Sequence, residues 1–281
     1  MVISRDITMA KYAKKSLGQH FLTQPNAINR IIEKSGIGED DVIVELGIGR
    51  GALTYRLSKI AKKIIGVELD KELIDWLNEQ GIPENLTILH EDMLRLNFKK
   101  LAEKEGQKLK LIGNLPYYLS TQMIFRLIKF REHIDWAVLM FQKEVAKRLT
   151  AKHGSKGYGI PTVILNYYAD IEHIMDLSPK NFTPPPKVYS TVIKITFKQP
   201  NLELLDENIF ISLVKRGFSK RRKTLENNLT GFKKLKKKEI QAILETCGIN
   251  KKVRAEDLSC KDFVNITNEI TRVLKNNQPV F

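Results

Sequence analysis

Residues 42–52 read Val42-Ile43-Val44-Glu45-Leu46-Gly47-Ile48-Gly49-Arg50-Gly51-Ala52. A short apolar run ending in spaced glycines is the turn from a buried strand into a helix, and it places the chain among α/β folds. The rhythm continues downstream. A helix of about ten residues carrying Leu53, Leu57 and Ile60 is expected next. Strands follow at Lys63–Val67 and Leu86–Leu89, separated by a helix with Leu73, Ile74 and Leu77 on its apolar face. The fourth strand is Leu109–Ile112 and the fifth Trp136–Phe141, with a helix over Ile124–Phe130 between them. A basic amphipathic helix, Lys143–Thr150, precedes a Gly-rich loop at His153–Gly159. Val163–Met175 and Val188–Phe197 both read as strands. Strands alternating with helices predict a mostly parallel sheet, and the last two, with no helix between them, an antiparallel hairpin at one edge. Upstream, a basic arm over residues 11–22 runs into Gly18-Gln19-His20-Phe21-Leu22, and a helix spans Pro25 to about Ser35.

The glycine loop fits two fingerprints. As Gly-x-Gly-x-x-Ala it suits a dinucleotide, with Glu68 standing about 20 residues on, where a ribose-binding acid belongs. As Glu45-x-Gly47-x-Gly49-x-Gly51 it resembles the S-adenosylmethionine loop of class I methyltransferases. In either case glycines let the backbone approach the ligand while a carboxylate accepts the ribose hydroxyls. The neighbours tip the choice. Glu45 at the strand end would repel a pyrophosphate but suits a cofactor with an ammonium and a sulfonium. Asp92, ending the third strand, can accept from an adenine amino group; the alternatives are a solvated surface acid for Asp92 and a helix-capping role for Glu68. Arg50 points the other way, being out of keeping with a loop built only for a cation.

The fourth strand runs into Gly113-Asn114-Leu115-Pro116-Tyr117. Asn114 there is either a helix cap or half of a site for a planar base bearing an amino group. In the second reading the Asn114 side-chain oxygen and the Leu115 carbonyl accept from that amine and favour a more tetrahedral nitrogen. Pro116 stiffens the turn, and Tyr117 offers a face for stacking. A target base must leave its helix to reach such a pocket. Phe182, before the three prolines Pro184-Pro185-Pro186, is expected either to press on the other face of the base or to be a core aromatic.

Of 281 residues, 47 are Lys or Arg and 32 Asp or Glu, a net charge of +15 that favours a polyanionic partner. Two cysteines, Cys247 and Cys260, leave no disulfide framework and no zinc site, so no metal is expected. Residues 1–15 lack the apolar core of a signal peptide and no run approaches a membrane span, so a cytoplasmic protein is expected. Strand signals stop after Gln199-Pro200, which divides the chain into an α/β domain, residues 1–199, and a helical domain, residues 200–281. Short helices are expected there at Leu204–Phe218, Arg221–Leu229, Lys237–Cys247 and Ser259–Leu274. Residues 215–238 carry eleven Lys or Arg and one acid, Glu226. Such a run is either a solvated face or an RNA-backbone footprint, with Lys215, Arg216, Lys220, Arg221, Arg222 and Lys223 as its centre.

Seven motifs stand in one order: Gly18–Leu22, the Glu45–Gly51 loop, Val67–Asp70, Asn114–Tyr117, Gln142–Val145, Phe182–Val188 and Arg221–Leu225. In that order they resemble the rRNA adenine dimethyltransferases, over about residues 11–275. The resemblance implies a Rossmann-like class I methyltransferase domain with a small all-α C-terminal domain. It implies dimethylation, from S-adenosylmethionine, of two adjacent adenosines near the end of small-subunit rRNA, by a monomer acting on an immature small ribosomal subunit. It assigns His20, Leu22, Gly47, Glu68, Asp92 and Asn114 to the cofactor, and Asn114, Pro116, Tyr117 and Phe182 to the adenine. His20 stands where the family often has Asn, and Ile48 where it often has Pro. The rivals are a resistance-type methyltransferase of large-subunit rRNA, a non-catalytic rRNA-binding assembly factor and, more remotely, an NAD-dependent oxidoreductase. Leu115, the Phe182–Val188 stretch and the basic C-terminal domain favour the small subunit.

Overall fold

The computed structural model describes Lys14 and residues 18–276; the remainder of the expected basic arm, residues 11–13 and 15–17, lies outside the described residues. The chain divides into two compact units. The first runs up to Ala146 and resumes over Asp170–Phe197; the second comprises Lys147–Ala169 and everything from Lys198 onward.

In the first unit the strands are Phe21–Leu22 (β1), Val42–Leu46 (β2), Lys63–Glu68 (β3), Leu86–His90 (β4), Leu109–Asn114 (β5), Ile134–Gln142 (β6), Ala169–Leu177 (β7), Phe182–Thr183 (β8) and Ser190–Phe197 (β9). Seven of them form one sheet in the order β4-β3-β2-β5-β6-β9-β7. β2 pairs in parallel with both β3 and β5, and β6 continues the parallel set beside β5. β2 is buried along its whole length, which is why its sequence runs apolar without alternation. β9 runs antiparallel to β6, with β7 beyond it at the edge. A separate two-stranded ribbon pairs β1 with β8, Leu22 opposite Phe182, tying the N-terminal arm to the stretch before the prolines.

Helix Pro25–Ser35 (α1) starts at Pro25, ends on left-handed Gly36, and buries Ile28, Ile31 and Ile32 in the core. Regular α-helix after the glycine loop covers only Thr54–Leu57 (α2), where about ten residues were expected. Residues 58–60 tighten into three-residue turns, Lys59 N bonding to Arg56 O and Ile60 N to Leu57 O, which leaves Ile60 exposed. Lys71–Gln80 (α3) is capped by the Asp70 side chain. Phe98–Glu105 (α4), with Asn97 as its cap, gave no signal recognised in the sequence. Ser120–Lys129 (α5) begins four residues before the expected Ile124, and Lys143–Leu149 (α6) lies where a basic helix was expected.

Val163–Met175, expected as one strand, is instead the end of a helix, Ile160–Tyr168 (α7), followed by β7. Pro161 sits in its first turn, and Val163, Ile164, Leu165, Tyr167 and Tyr168 are all buried. With six of its nine residues buried and Asn166 alone exposed, the helix shows little amphipathic period to betray it. The same burial moves the domain division. α7 packs on Glu207–Gly217 (α8) and Cys260–Asn276 (α11) of the second unit, so Lys147–Ala169 belongs there and not with residues 1–199. Leu225–Leu229 (α9) and Lys237–Thr246 (α10) complete that unit's helices. No helix among the described residues is long and apolar enough to cross a membrane.

One close backbone approach marks the β2–β5 pairing near the end of β5. A Cβ on Gly113 would stand 2.5 Å from the Leu46 carbonyl oxygen of the paired strand. Backbone cannot yield there without disturbing the β2–β5 pairing. Gly113→Ala is therefore expected to cost about 1–3 kcal/mol, the usual range for overpacking, read as a lowered thermal midpoint; an unchanged midpoint would contradict this close approach.

Candidate active site at the carboxyl edge of the sheet

The sheet order reverses between β2 and β5, the place where open α/β sheets bind ligands beyond their carboxyl ends. Four strand ends deliver the chemistry: Glu45 on β2, Glu68 on β3, Asp92 just after β4 and Asn114 on β5. All four line one cleft, the kind of concave site that small-molecule ligands occupy. His20, Leu22 and Gly47 line it too, as do Leu115, Pro116 and Tyr117. Phe182 does not. It is 3 % exposed in the core, opposite Leu22 across the β1–β8 ribbon. Its alternative reading, a core aromatic, is the one observed.

Asn114 is held one way round. Its Nδ2 donates to the His20 carbonyl oxygen at 2.7 Å, which leaves Oδ1 as the amide atom that can accept from a ligand. His20 is itself pinned, with Nδ1 2.7 Å from the Pro184 carbonyl oxygen. A carbonyl only accepts, so the ring proton sits on Nδ1. The imidazole stacks on Tyr117, centroids 5.8 Å apart and planes 25° apart. The Tyr117 hydroxyl bonds to Ser190 Oγ at 2.7 Å. Burial raises the phenol's pKa, partly offset by that bond.

The acids are each compensated differently. Glu68 accepts three backbone N–H bonds of 2.9 Å, from Gly49 to Oε2 and from Leu69 and Asp70 to Oε1. Burial raises its pKa in spite of them. Gly49 needs its left-handed φ of +56°, and a Cβ there would come within 3.1 Å of the Phe21 ring. Glu45, 1 % exposed, accepts from Thr54 Oγ1 at 2.6 Å. Burial, with a smaller contribution from the Glu68 charge, pushes it up to about 8 although the Thr54 bond opposes the shift. Asp92 accepts from Leu94 N at 2.8 Å, closing the turn after β4. Its side chain is 33 % exposed, with the Arg95 guanidinium 3.9 Å away.

Several partners had no recognised signal in the sequence. Asp70 accepts from Lys14 Nζ at 2.8 Å and from Gln19 Nε2 at 3.1 Å, which fastens the arm beside the cleft. Burial would raise its pKa, but the Lys14 and Gln19 bonds outweigh that and hold it low. Arg50, an oddity in the loop, lies 5.3 Å from the Phe21 ring centroid and 5.1 Å from that of Trp76. The aromatic faces account for a cation in this loop.

In the second unit Lys215, Arg216, Lys220, Arg221, Arg222 and Lys223 are all exposed. Residues 221–223 were expected to be helical but lie in the turn before Thr224, the cap of α9. Buried Asn228 donates to the Gly217 and Lys220 carbonyls at 2.6 and 3.2 Å and so holds that turn. Arg221 is already engaged, with Nη2 on the Lys156 carbonyl at 2.7 Å and Nε 3.7 Å from Glu256. Among the described residues no group of three or more His, Cys, Asp or Glu could hold a metal ion.

Residues 10–272 match the family described as ribosomal RNA adenine dimethylase. The ribosomal RNA small subunit methyltransferase A of Desulfotalea psychrophila is 41% identical over 265 residues, covering 90% of each chain. That of Bacillus cytotoxicus is 39% identical over 266 residues, covering 92% of this chain and 91% of its own. Among solved structures, a dimethyladenosine transferase from Plasmodium falciparum superposes with a TM-score of 0.77 at 27% identity, over 90% of this chain and 98% of that one. A 23S rRNA methyltransferase shares the fold, with a TM-score of 0.69 at 21% identity, over 89% of this chain and 99% of its own.

The buried Glu45 yields a pH test. Its carboxyl holds a proton up to about 8 in the fold, whereas an unfolded chain releases it near 4.3. Between those values the folded state binds the extra proton, so stability falls as pH rises. Relative to Glu45→Gln, wild-type protein is expected to lose thermal stability steadily from pH 5 to 8. A pH-independent difference between the two proteins would contradict the shift.

Proposed function

The chain belongs to the ribosomal RNA adenine dimethylase family, and on that premise we propose that it dimethylates two adjacent adenosines near the end of small-subunit rRNA, using S-adenosylmethionine. The observation that carries the reading is the orientation of Asn114, whose Oδ1 is left to accept from an amino group in a cleft lined by buried acids.

The cleft fits the proposed cofactor on its own chemistry. Glu68 keeps one acceptor site, on Oε2, beyond its three amide bonds for a ribose hydroxyl. Asp92 offers an acceptor to the adenine amine, and Gly47 lets the backbone come close. Glu45 is a buried carboxyl placed to ionise against a cation. When bound, S-adenosylmethionine supplies a methyl group already activated as a sulfonium. What remains for the protein is to prepare the nucleophile.

The 6-amino group of adenine is a poor nucleophile because its lone pair is delocalised into the ring. Asn114 Oδ1 and the Leu115 carbonyl, by accepting both amine hydrogens, favour the tetrahedral nitrogen that can attack. Pro116 fixes the turn, and Tyr117, braced by Ser190 and His20, gives the base a face to lie on. The nitrogen loses its proton after methylation, when it has become acidic, so no dedicated base is required. Phe182 has no part in holding the base in this account, since reaching the cleft would mean leaving the core. The exposed Lys215–Lys223 cluster would grip the rRNA backbone with little base preference, leaving shape and single-stranded bases to choose the site. A monomer working in the cytoplasm on an immature small subunit completes the proposal.

Methyl transfer from labelled cofactor to small subunits lacking dimethyladenosine, with the modified positions mapped, tests this reading. Label confined to two adjacent adenosines near the rRNA end is expected; label only in large-subunit rRNA would replace the proposal with the resistance-type activity. Asn114→Ala is expected to lower kcat by about 10²-fold or more while RNA affinity stays near wild type, and undiminished turnover would remove the role given to Asn114.

A further inference from the structure

Tyr118 follows Tyr117 on the short turn Tyr117–Leu119 and lines the same cleft, yet its surroundings are different. Tyr117 is engaged on two sides, by Ser190 and by the His20 ring. Tyr118 is 58 % exposed. Its ring lies beside the arm: a Cβ on Gly18 would meet Tyr118 Cδ1 and Cε1 at 3.6 Å and Pro116 Cβ at 4.0 Å. Gly18 holds a left-handed φ of +63°, so the arm passes there as bare backbone. The result is a large, mostly exposed aromatic ring beside a bare stretch of backbone, at the lip of the cleft.

A base drawn into the pocket leaves its neighbour in the strand without a stacking partner. Aromatic rings at the edge of single-strand binding sites recover that loss with little sequence preference, because every base has a π-face. Building on the methyltransferase reading, we propose that Tyr118 is a stacking subsite for the nucleobase that flanks the target adenosine. Tyr117 receives the base being methylated, and Tyr118 receives the one beside it. For two adjacent adenosines this gives the waiting adenine a place next to the site it enters in its turn. The ligand class is an unpaired nucleobase in an RNA strand, and Tyr118 acts on binding of that strand, not on the methyl transfer itself.

Steady-state kinetics with small subunits lacking dimethyladenosine decide the matter, comparing wild type, Tyr118→Phe and Tyr118→Ala, with S-adenosylmethionine affinity measured separately by calorimetry. Loss of one stack is expected to raise the KM of Tyr118→Ala for the subunits by roughly 5- to 150-fold. Its kcat should change little, the pattern of lost ground-state binding, and the phenylalanine variant should restore KM to within about twofold. Cofactor affinity should be the same in all three proteins. An alanine variant with wild-type KM overturns the proposal. So does one whose cofactor binding falls in step with its KM, since the ring would then prop the cleft and not the RNA. Wild-type protein that methylates no adenosine in these subunits would bring down the function reading itself, and this inference with it. Active wild type with an unaffected alanine variant sinks the Tyr118 subsite alone.

Discussion

The 2.7 Å hydrogen bond from the Asn114 amide to the His20 carbonyl joins two parts of the chain that nothing local brings together. Asn114 ends a central parallel strand, buried between β2 and β6. His20 belongs to an arm that reaches the cleft only because β1 pairs with β8, Lys14 and Gln19 hold Asp70, and the His20 ring meets Pro184. A single such bond contributes about 1 kcal/mol to stability. Its consequence for chemistry is larger, because it decides which end of the Asn114 amide a ligand meets. Reverse the amide and the site would offer a donor to an amine that has only donors to give.

Around that bond three buried carboxylates are each compensated in a different way. Glu68 is stabilised by main-chain amides of the glycine loop, so loop and acid shape one another. Asp70 is spent on the arm and on the cap of α3. Glu45 has one hydroxyl partner, Thr54, and is otherwise enclosed, which is a poor place for a charge until a cation arrives. Such a carboxyl loses its proton more readily when a positive charge lies beside it.

Much of this was legible in Val42–Ala52 and in the alternation of strands after it, because a buried parallel strand leaves an uninterrupted apolar run and its glycine turn leaves a spacing. The strand-end residues Glu45, Glu68, Asp92 and Asn114 could be read for the same reason: position at a carboxyl edge is a consequence of topology. Residues whose role comes from distant pairing were harder. Phe182 looked like a wall of the pocket by motif, but the β1–β8 ribbon turns it into the core. Ile160–Tyr168 carried little helical period because six of its nine residues are buried and only Asn166 is exposed, and the domain division moved with it. The Lys14–Asp70 and Thr54–Glu45 pairs lie 56 and 9 residues apart, and neither spacing carries a sequence signature.

The account is tested most directly by a crystal structure of the protein with S-adenosylhomocysteine and adenosine bound together. It predicts the cofactor ribose on Glu68, its adenine amine on Asp92, and the adenosine 6-amino group on Asn114 Oδ1 while Asn114 Nδ2 still holds the His20 carbonyl. An adenosine amine held elsewhere, or an Asn114 amide turned the other way with its bond to His20 broken, would contradict it.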